Sequence, residues 1–232
     1  MSLAQKKSPL EGIDTWVFDL DNTLYPRTSN LWAQIDVLIT RYVMEVTGLG
    51  HDEARALQKG MYRDHGTTMN GLMARYGIDP EHYLSIVHRI DYSPVMPNPA
   101  LVAAIEALPG RKLVFTNADA GHVNAVMERV GGAHLFEVVH DIRASAWEPK
   151  PLRGAYERLY ARHGIDPSRA AMFDDLEKNL LVPHETGMTT VHVVPEGVFA
   201  HEAVESWELS RADHAPHVHH VTDDLAGWLG KI

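Results

Sequence analysis

Short apolar segments alternate with predicted helices in the C-terminal part of the chain, and this order constrains the fold more than any other feature. The apolar segments lie at 111–116, 137–140, 170–174 and 189–194. The predicted helices lie at 100–108, 120–130, 152–163 and 177–186. Strands that alternate with helices indicate βαβ units and a parallel sheet. The sequence therefore predicts a doubly wound α/β fold, whose ligand site lies beyond the carboxyl ends of the strands.

A further strand is predicted at 15–20, and a helical stretch separates it from the rest of the α/β pattern. The helices of this stretch are predicted at 31–46, 51–65, 67–76 and 80–89. Three prolines within 91–99 then interrupt regular structure and mark a boundary. We therefore predict a small all-helical cap domain at 29–94, inserted after the first strand of a core domain formed by 1–28 and 95–232.

Composition and charge exclude several classes of function. Of the 232 residues, 45% are hydrophobic and 22% are charged, which is typical of a folded globular chain. The net charge of −10 and the lack of a Lys/Arg run disfavour nucleic acid polymers as partners, because phosphate backbones are bound by clustered positive charge. The chain contains no cysteine, so any covalent catalysis must use oxygen or nitrogen.

The sequence gives no sign of membrane association. No segment approaches the roughly 18 consecutive apolar residues that a membrane-spanning helix needs. The N-terminal segment MSLAQKKSPLEG lacks the apolar core of a signal peptide. We therefore expect a cytoplasmic protein whose partner is a small molecule.

Two carboxylates follow the first predicted strand. Asp19 and Asp21 are two residues apart, so in extended backbone both side chains point to the same side, towards the predicted ligand site. A carboxylate can attack a phosphoryl group, while a second carboxyl group protonates the leaving oxygen and later activates water. The alternative is that DNT forms only a turn, since Asp and Asn favour turns.

Polar residues also follow the second core strand and precede the helix at 152–163. Thr116 and Asn117 are suited to holding phosphate oxygens, but the same residue types cap helices. Lys150, between two prolines, is suited to neutralising both a phosphate group and a nucleophilic carboxylate. The alternative for a single lysine is a solvated position on the surface.

A pair of acids ends the strand predicted at 170–174. Asp174 and Asp175 would repel each other at the end of a buried strand unless a cation lies nearby. Mg²⁺ suits this setting, because it binds one or two carboxylates together with a substrate phosphate. The alternative is that either acid caps the next helix. The sequence leaves open which of the two would bind the metal directly.

Together these segments resemble a known family. DLDNT, FTN, Lys150 and DDLEKN, in this order, are similar to the four motifs of the haloacid dehalogenase superfamily of phosphohydrolases. The resemblance extends from Trp16 to about Leu229. Within the superfamily, DLDNTLY, the helical cap, YRDHGTTMNGL and FDDLEKN are most similar to the pyrimidine 5'-nucleotidase group. The resemblance implies a Mg²⁺-dependent hydrolase that cleaves phosphomonoesters through an aspartyl-phosphate.

The resemblance also implies a role for each motif residue. Asp19 would be the nucleophile and Asp21 the general acid and base. Phosphate would be bound by Thr116, Asn117 and Lys150. The metal would be held by Asp19, Asp174, Asp175 and, through its backbone carbonyl, Asp21. Thr23 and Asn179 would support these residues without binding the ligand, and Asn179 stands where many members of the superfamily carry an aspartate.

The cap segment 62–72 bears on the substrate. Glycines bracket TTMN, so the chain there can bend and present Thr67, Thr68 and Asn70 to a base or a ribose. The alternative is an ordinary break between two helices, with Thr67 as the N-cap. We expect a pyrimidine nucleoside 5'-monophosphate as the substrate, with a sugar phosphate or phosphoglycolate as the alternative.

Two rival functions and one further motif complete the set of hypotheses. Dehalogenases of the superfamily lack the second acid, so Asp21 argues against that activity. A non-catalytic phosphate-binding or interaction protein would be expected to have lost one of the chemical groups, and none is missing. The C-terminal histidines His214, His217, His219 and His220 lack a clear metal-ligand spacing. We predict instead that HHV begins a last strand, followed by a helix.

Overall fold

The computed structural model describes residues 10–194 and 215–232, and its centre is a parallel β-sheet. The strands are β1 (Thr15–Phe18), β2 (Arg111–Phe115), β3 (Val138–His140), β4 (Ala170–Asp174), β5 (Thr189–Val193) and β6 (His220–Thr222). All neighbouring pairs are parallel, in the spatial order β3-β2-β1-β4-β5-β6. The order reverses between β1 and β4, which creates the crevice where doubly wound sheets bind ligands.

Helices cover both faces of the sheet, as a parallel sheet requires. The core helices are α5 (Pro99–Ala107), α6 (Ala120–Val130), α7 (Arg153–His163), α8 (Leu181–Thr186) and α9 (Leu225–Leu229). Adjacent residues of β1 serve opposite faces: Phe18 packs with Val126 of α6, whereas Val17 packs with Tyr156 of α7. This alternation follows from the two-residue period of a strand.

Four helices lie between β1 and β2 in the chain and form a hydrophobic cluster of their own. They are α1 (Leu31–Thr47), α2 (His51–His65), α3 (Thr68–Tyr76) and α4 (Pro80–Val87). Their buried side chains, among them Ile35, Val43, Met61 and Leu72, pack mainly against one another. The predicted α/β fold with helices inserted after the first strand is confirmed. The division into a core and a cap domain stays a prediction.

One predicted helix is divided in the structure. The segment predicted at 177–186 forms a 3₁₀ turn, Glu177–Leu180, followed by the short helix α8. Pro183 has no backbone N–H, so it cannot donate the α-helical hydrogen bond to the carbonyl of Asn179. The hydroxyl of Tyr156 donates to that carbonyl instead, at 2.7 Å. The turn therefore keeps its geometry through a side chain from the core.

The remaining differences in element ends amount to one or two residues, and no described helix resembles a membrane span. Most strands and helices begin or end within two residues of the predicted positions, which is the usual scatter of frayed ends. The strand predicted at 15–20 ends at Phe18, because the chain turns at Asn22. Within 10–194 and 215–232, no helix has the length and apolar character needed to cross a bilayer.

Candidate active site

The strand register brings three buried carboxylates together at the crevice. Phe18 of β1 lies opposite Phe173 of β4, so the residues that follow them are neighbours as well. The backbone N–H of Asp19 donates to the carbonyl of Phe173 at 2.8 Å, which extends the ladder. One carboxylate oxygen from each of Asp19, Asp174 and Asp175 lies within 4.8 Å of the other two. The fold thus assembles acids that are far apart in sequence.

Lys150 lies buried between two of these acids, with only 2% of its surface exposed. Its ammonium group donates to Asp19 Oδ1 at 2.6 Å, to Asp174 Oδ2 at 2.7 Å and to the carbonyl of Phe115 at 3.0 Å. Three acceptors match the three protons of an ammonium group. The alternative of a solvated surface lysine is therefore wrong for this position.

Asn117 has contacts beyond the predicted one. Its amide nitrogen donates to the carbonyl of Lys150 at 3.1 Å, and its amide oxygen accepts from the backbone N–H of Lys150 at 2.8 Å. Both polar atoms of the side chain thus hold the backbone of Lys150, while Asn117 also lines the pocket, and its contact with phosphate stays a prediction. Thr116 is buried and lines the pocket. The N-cap of α6 is Asp119, so the capping alternative for Thr116 and Asn117 is wrong.

The predicted supporting residues differ in their contacts. Asp174 Oδ1 accepts from the backbone N–H of Leu176 and from the side-chain amide of Asn179, both at 2.9 Å. Asn179 therefore fixes the orientation of Asp174, one of the three acids that converge at the crevice (Asp19, Asp174 and Asp175, together called the acid group). Thr23 makes no such contact in the described part of the chain: its backbone N–H donates to the carbonyl of Leu20, and its buried hydroxyl has no hydrogen-bond partner.

Asp175 is held by two residues that follow β1. Its Oδ2 accepts from the side-chain amide of Asn22 at 3.2 Å and from the guanidinium of Arg27 at 3.3 Å. Asn22 has a φ of 59°, a left-handed conformation that Asn tolerates better than most residues. The segment DNT therefore forms a turn and also contacts the acid after β4, while the catalytic roles of Asp19 and Asp21 stay a prediction.

The negative charge of the three acids exceeds the positive charge of the protein groups that contact them. Burial raises the pKa of Asp19 well above its ordinary value, although Lys150 opposes the shift. Burial and the neighbouring Asp174 raise the pKa of Asp175 to about 7. Burial lowers the pKa of Lys150, but Asp174 and Asp19 outweigh it and hold that pKa above its ordinary value. Three convergent carboxylates with too little compensating charge are a donor set that fits Mg²⁺.

The side chain of Asp21 lies outside this acid group. Its Oδ1 accepts from the hydroxyl of Tyr25 at 2.5 Å and lies 2.8 Å from His122 Nε2. Burial raises the pKa of Asp21, but the charge and hydrogen bond of His122 outweigh it and bring that pKa to about 2. Both Asp19 and Asp21 line the same pocket. The two carboxylates therefore share one pocket but have separate environments.

The pocket extends from these acids to the inserted helices. Its lining on that side is largely apolar and aromatic: Trp32, Ile35, Ile39, Met69, Tyr83 and Val87. A buried acid, Asp36, also borders it and accepts hydrogen bonds from Arg55 and Gln58, each at 2.7 Å, and from Lys59 at 3.3 Å. The charge of Asp36 is thus compensated within the protein, and the apolar lining leaves room for an uncharged part of a ligand.

The cap residues predicted to contact the substrate bind protein groups. Thr67 is the N-cap of α3: its hydroxyl accepts from the backbone N–H of Asn70 at 3.1 Å and donates to the Asn70 side chain at 2.8 Å. The hydroxyl of Thr68 donates to the carbonyl of Gln58, and the amide of Asn70 donates to the carbonyl of Trp147. The N-cap alternative therefore holds for Thr67, because the start of a helix leaves N–H groups that need acceptors. Thr67 and Thr68 also line the pocket, and the substrate role of these residues stays a prediction.

Four site residues were not found from the sequence: Asn22, Tyr25, Arg27 and His122. Asn22 lies inside the recognised DLDNT motif, but only the geometry shows that it contacts Asp175. Arg27 reaches the same acid through the 3₁₀ turn Arg27–Ser29, for which the sequence has no clear signal. His122 lies in the first turn of α6, and its contact with Asp21 depends on how that helix packs on the sheet.

The C-terminal histidines form part of the sheet. His220 begins β6, as predicted, and α9 follows. His219 Nδ1 accepts from the backbone N–H of Thr190 at 3.1 Å, and His217 Nε2 lies 3.0 Å from the carbonyl of Glu177. His214 lies outside the described residues. The described histidines thus have contacts that belong to the fold.

Solved structures with this fold include phosphate-binding, magnesium-binding and dehalogenating proteins. The chain is similar to CbbY from Rhodobacter sphaeroides in complex with phosphate, with a TM-score of 0.62 and 16% identity over 92% of this chain and 95% of that one. It is similar to the hydrolase YfnB from Bacillus subtilis bound to magnesium, with a TM-score of 0.56 and 12% identity over 94% and 98%. It is also similar to L-2-haloacid dehalogenase from Xanthobacter autotrophicus with covalently bound chloropropionic acid, with a TM-score of 0.55 and 13% identity over 94% and 97%.

At these identities the structural similarities show a shared fold and leave the reaction open. A family model gives a more specific result about the family of the chain. It matches residues 13–181, a range that includes the acids after β1 and β4, Lys150 and the inserted helices. That match covers more than half of the chain. The chain therefore belongs to the haloacid dehalogenase-like hydrolase family.

Proposed function

We propose that the chain is a Mg²⁺-dependent phosphomonoesterase with Asp19 as its nucleophile. One observation carries the proposal: Asp19 and Asp21 line one pocket, but Asp19 is held by Lys150 while Asp21 is held by His122 and Tyr25. Two acids in different environments suit two different tasks. Dehalogenases of the superfamily lack the second acid, so the position of Asp21 favours a phosphatase.

The proposed reaction has two steps. Asp19 attacks the phosphorus atom and the bond to the leaving oxygen breaks, while that oxygen takes, through Asp21, the proton that Asp21 and His122 hold between them. In the free site Asp21 is a carboxylate, and although burial lowers the pKa of His122, the contact with Asp21 outweighs burial and raises that pKa. Asp21 then removes a proton from a water molecule, which attacks the aspartyl-phosphate and releases phosphate and the free Asp19 carboxylate. Lys150 orients Asp19 and offsets its charge as the anionic substrate approaches.

The metal would be held by the side chains of Asp19, Asp174 and Asp175, with the backbone carbonyl of Asp21 as a further ligand. When bound, Mg²⁺ supplies positive charge that offsets the phosphate oxygens. Asn179 keeps Asp174 in place through their hydrogen bond of 2.9 Å. Thr116, which is buried and lines the pocket, is placed to bind the phosphate together with Lys150.

The proposed substrate is a pyrimidine nucleoside 5'-monophosphate, with a sugar phosphate or phosphoglycolate as the alternative. Support comes from the resemblance of the cap segment to the nucleotidase group and from the pocket lining. Trp32, Tyr62 and Tyr83 border the pocket, and an aromatic lining suits a planar base better than a sugar phosphate, which would need more polar partners.

Residues 29–94 are proposed to act as a cap that excludes water from the site. The contacts that join this segment to the core include those of His88 with Asp119 at 2.7 Å, of Glu81 with Arg143, and of Asn70 with the carbonyl of Trp147 at 2.7 Å. These contacts tie the inserted helices to the core.

The experiment is phosphate release from a panel of nucleotides, sugar phosphates and phosphoglycolate, with 4-nitrophenyl phosphate as an activated ester. We expect UMP and CMP to be hydrolysed fastest, and Asp19→Asn to abolish turnover with an unchanged circular dichroism spectrum. Retained activity in a folded Asp19→Asn protein would refute the nucleophile. If glucose 6-phosphate or phosphoglycolate is hydrolysed faster than UMP, the nucleotide assignment fails while the phosphatase assignment stands.

A further inference from the structure

The carboxylate of Asp21 is held at one of its two oxygens. The hydroxyl of Tyr25 and Nε2 of His122 both contact Oδ1, at 2.5 and 2.8 Å. Tyr25 and His122 are themselves almost completely buried, whereas the side chain of Asp21 is 20% exposed and borders the pocket. Two contacts on Oδ1 fix the orientation of the carboxyl group, and Oδ2 is the oxygen available to a ligand.

His122 is in turn fixed on three sides. It lies in the first turn of α6, where its backbone N–H donates to the N-cap Asp119 at 2.9 Å. Its Nδ1 lies 3.0 Å from the hydroxyl of Tyr92. Its ring stacks on that of His88 at a centroid distance of 4.6 Å, and His88 contacts Asp119 at 2.7 Å. The imidazole therefore has little freedom to leave Asp21.

Packing alone does not account for a histidine at this position. His122 is 1% exposed and lies one residue before Val123, in the helix that covers one face of the sheet. An apolar side chain would fill the position without the free-energy cost of burying two polar ring nitrogens. The ring nitrogen that faces the site contacts Asp21, so the contact with this carboxylate explains the residue type.

We propose that His122, together with Tyr25, is a positioning residue that holds Asp21 with Oδ2 directed at the leaving oxygen of the substrate. The inference rests on the proposed function, in which a proton reaches that oxygen through Asp21. A leaving group that needs a proton depends on this orientation, whereas an activated aryl leaving group departs without one. Loss of the positioning contacts should therefore slow release of the alkyl leaving group much more than release of the aryl leaving group.

The test compares 4-nitrophenyl phosphate with the alkyl phosphate that the wild-type protein hydrolyses fastest. The measured quantity is the rate constant of leaving-group release in single-turnover experiments, because this step precedes the hydrolysis of the aspartyl-phosphate, in which Asp21 also acts. His122→Ala and Tyr25→Phe are expected to lower this rate constant by about tenfold or more for the alkyl ester, and by less than about threefold for the aryl ester. His122→Gln should restore part of the alkyl rate, because its amide nitrogen can donate from a similar position. Tyr25→Phe removes a single hydroxyl and so provides the test with the smallest change in packing.

Two controls separate positioning from a general effect on packing. Val126→Ala removes a buried side chain from the same helix, and it should lower both rates alike, if at all. In an Asp21→Asn background, His122→Ala should cause no further loss on the alkyl ester, because the group that it positions is already inactive.

The outcomes distinguish this inference from the proposed function. If the wild-type protein hydrolyses neither ester, the proposed function fails and takes the inference with it. If hydrolysis requires Asp19 but the His122 and Tyr25 variants lower both rates equally, only the inference is overturned. Additive losses of His122→Ala and Asp21→Asn on the alkyl ester would overturn it as well.

Discussion

Replacing Lys150 by Met should destabilise the protein strongly, because the substitution leaves two buried carboxylates without their shared cation. The ammonium group lies 2.6 Å from Asp19 and 2.7 Å from Asp174, and all three side chains are buried. Removal of one partner of a buried ion pair costs about 3–5 kcal/mol. Proton uptake by Asp19 limits the loss, since burial already raises its pKa. We therefore expect the lower end of this range, about 3 kcal/mol at neutral pH.

The sign of the pH dependence follows from the same pKa shift. A raised pKa means that the folded protein binds the Asp19 proton more tightly than the unfolded chain does, so stability increases as the pH falls through the folded-state pKa. In Lys150→Met the shift is larger, because Lys150 no longer opposes it. The stability difference between the variant and the wild type should therefore be largest at alkaline pH and shrink towards pH 5.

The assay is thermal and urea unfolding in EDTA, which removes the contribution of bound metal. A loss of about 3 kcal/mol corresponds to a fall in Tm of roughly 6–12 °C for a chain of this size. Lys231→Met, at an exposed C-terminal position, serves as the control. Adding Asp174→Asn should recover much of the loss, because the amide can donate to Asp19. A loss below about 1 kcal/mol, or no recovery in the double variant, would refute the reasoning.

Three further predictions follow from the site and the core. EDTA should abolish activity, Mg²⁺ should restore it and Ca²⁺ should restore little, and full activity in EDTA would contradict the metal site. Asp175→Ala should raise the Mg²⁺ concentration for half-maximal activity more than Asn179→Ala does. Burial and the neighbouring His163 lower the pKa of His140 to about 4, so below about pH 6.5 the unfolded chain binds more protons than the folded protein does. The free energy of unfolding should therefore fall by up to about 3 kcal/mol between pH 6.5 and 4. Urea unfolding of His140→Phe should show a smaller fall, and an equal dependence of stability on pH in the variant would count against His140 as the cause. Thr67→Ala should cost about 1 kcal/mol of stability through loss of the helix cap while leaving KM for the substrate unchanged, and a raised KM would show that Thr67 also contacts the substrate.

The fold and the positions of the acids were predictable because they depend on local patterns. Alternation of strands and helices predicted the parallel sheet, and the carboxyl ends of β1, β2 and β4 necessarily meet at one edge. Asp19 and Asp174 follow directly from this rule, since each comes at the end of a buried strand. Lys150 was recognised from its motif, but its burial depends on the contacts of Asn117 with its backbone.

The side-chain contacts of three predicted ligand-binding residues show where sequence patterns stop being informative. Asn117, Thr68 and Asn70 have side chains suited to a ligand, yet each uses its polar atoms on backbone groups of the protein. The residue type shows which hydrogen-bonding groups a side chain has, but which partners lie within hydrogen-bonding distance depends on the folded structure. His122 was missed for the same reason, because its contact with Asp21 joins distant parts of the sequence.

Tyr156 links the interior of the protein to its chemistry, which restricts how this chain can evolve. Its ring packs edge-on against Phe115, whose carbonyl accepts from Lys150, and its hydroxyl holds the carbonyl of Asn179. A mutation at this tyrosine would therefore disturb the supports of Lys150 and Asp174 at once. Selection for thermal robustness and selection for turnover act here on the same side chain. New substrate preferences are thus expected to arise in the inserted helices, where residues can change without moving the acids.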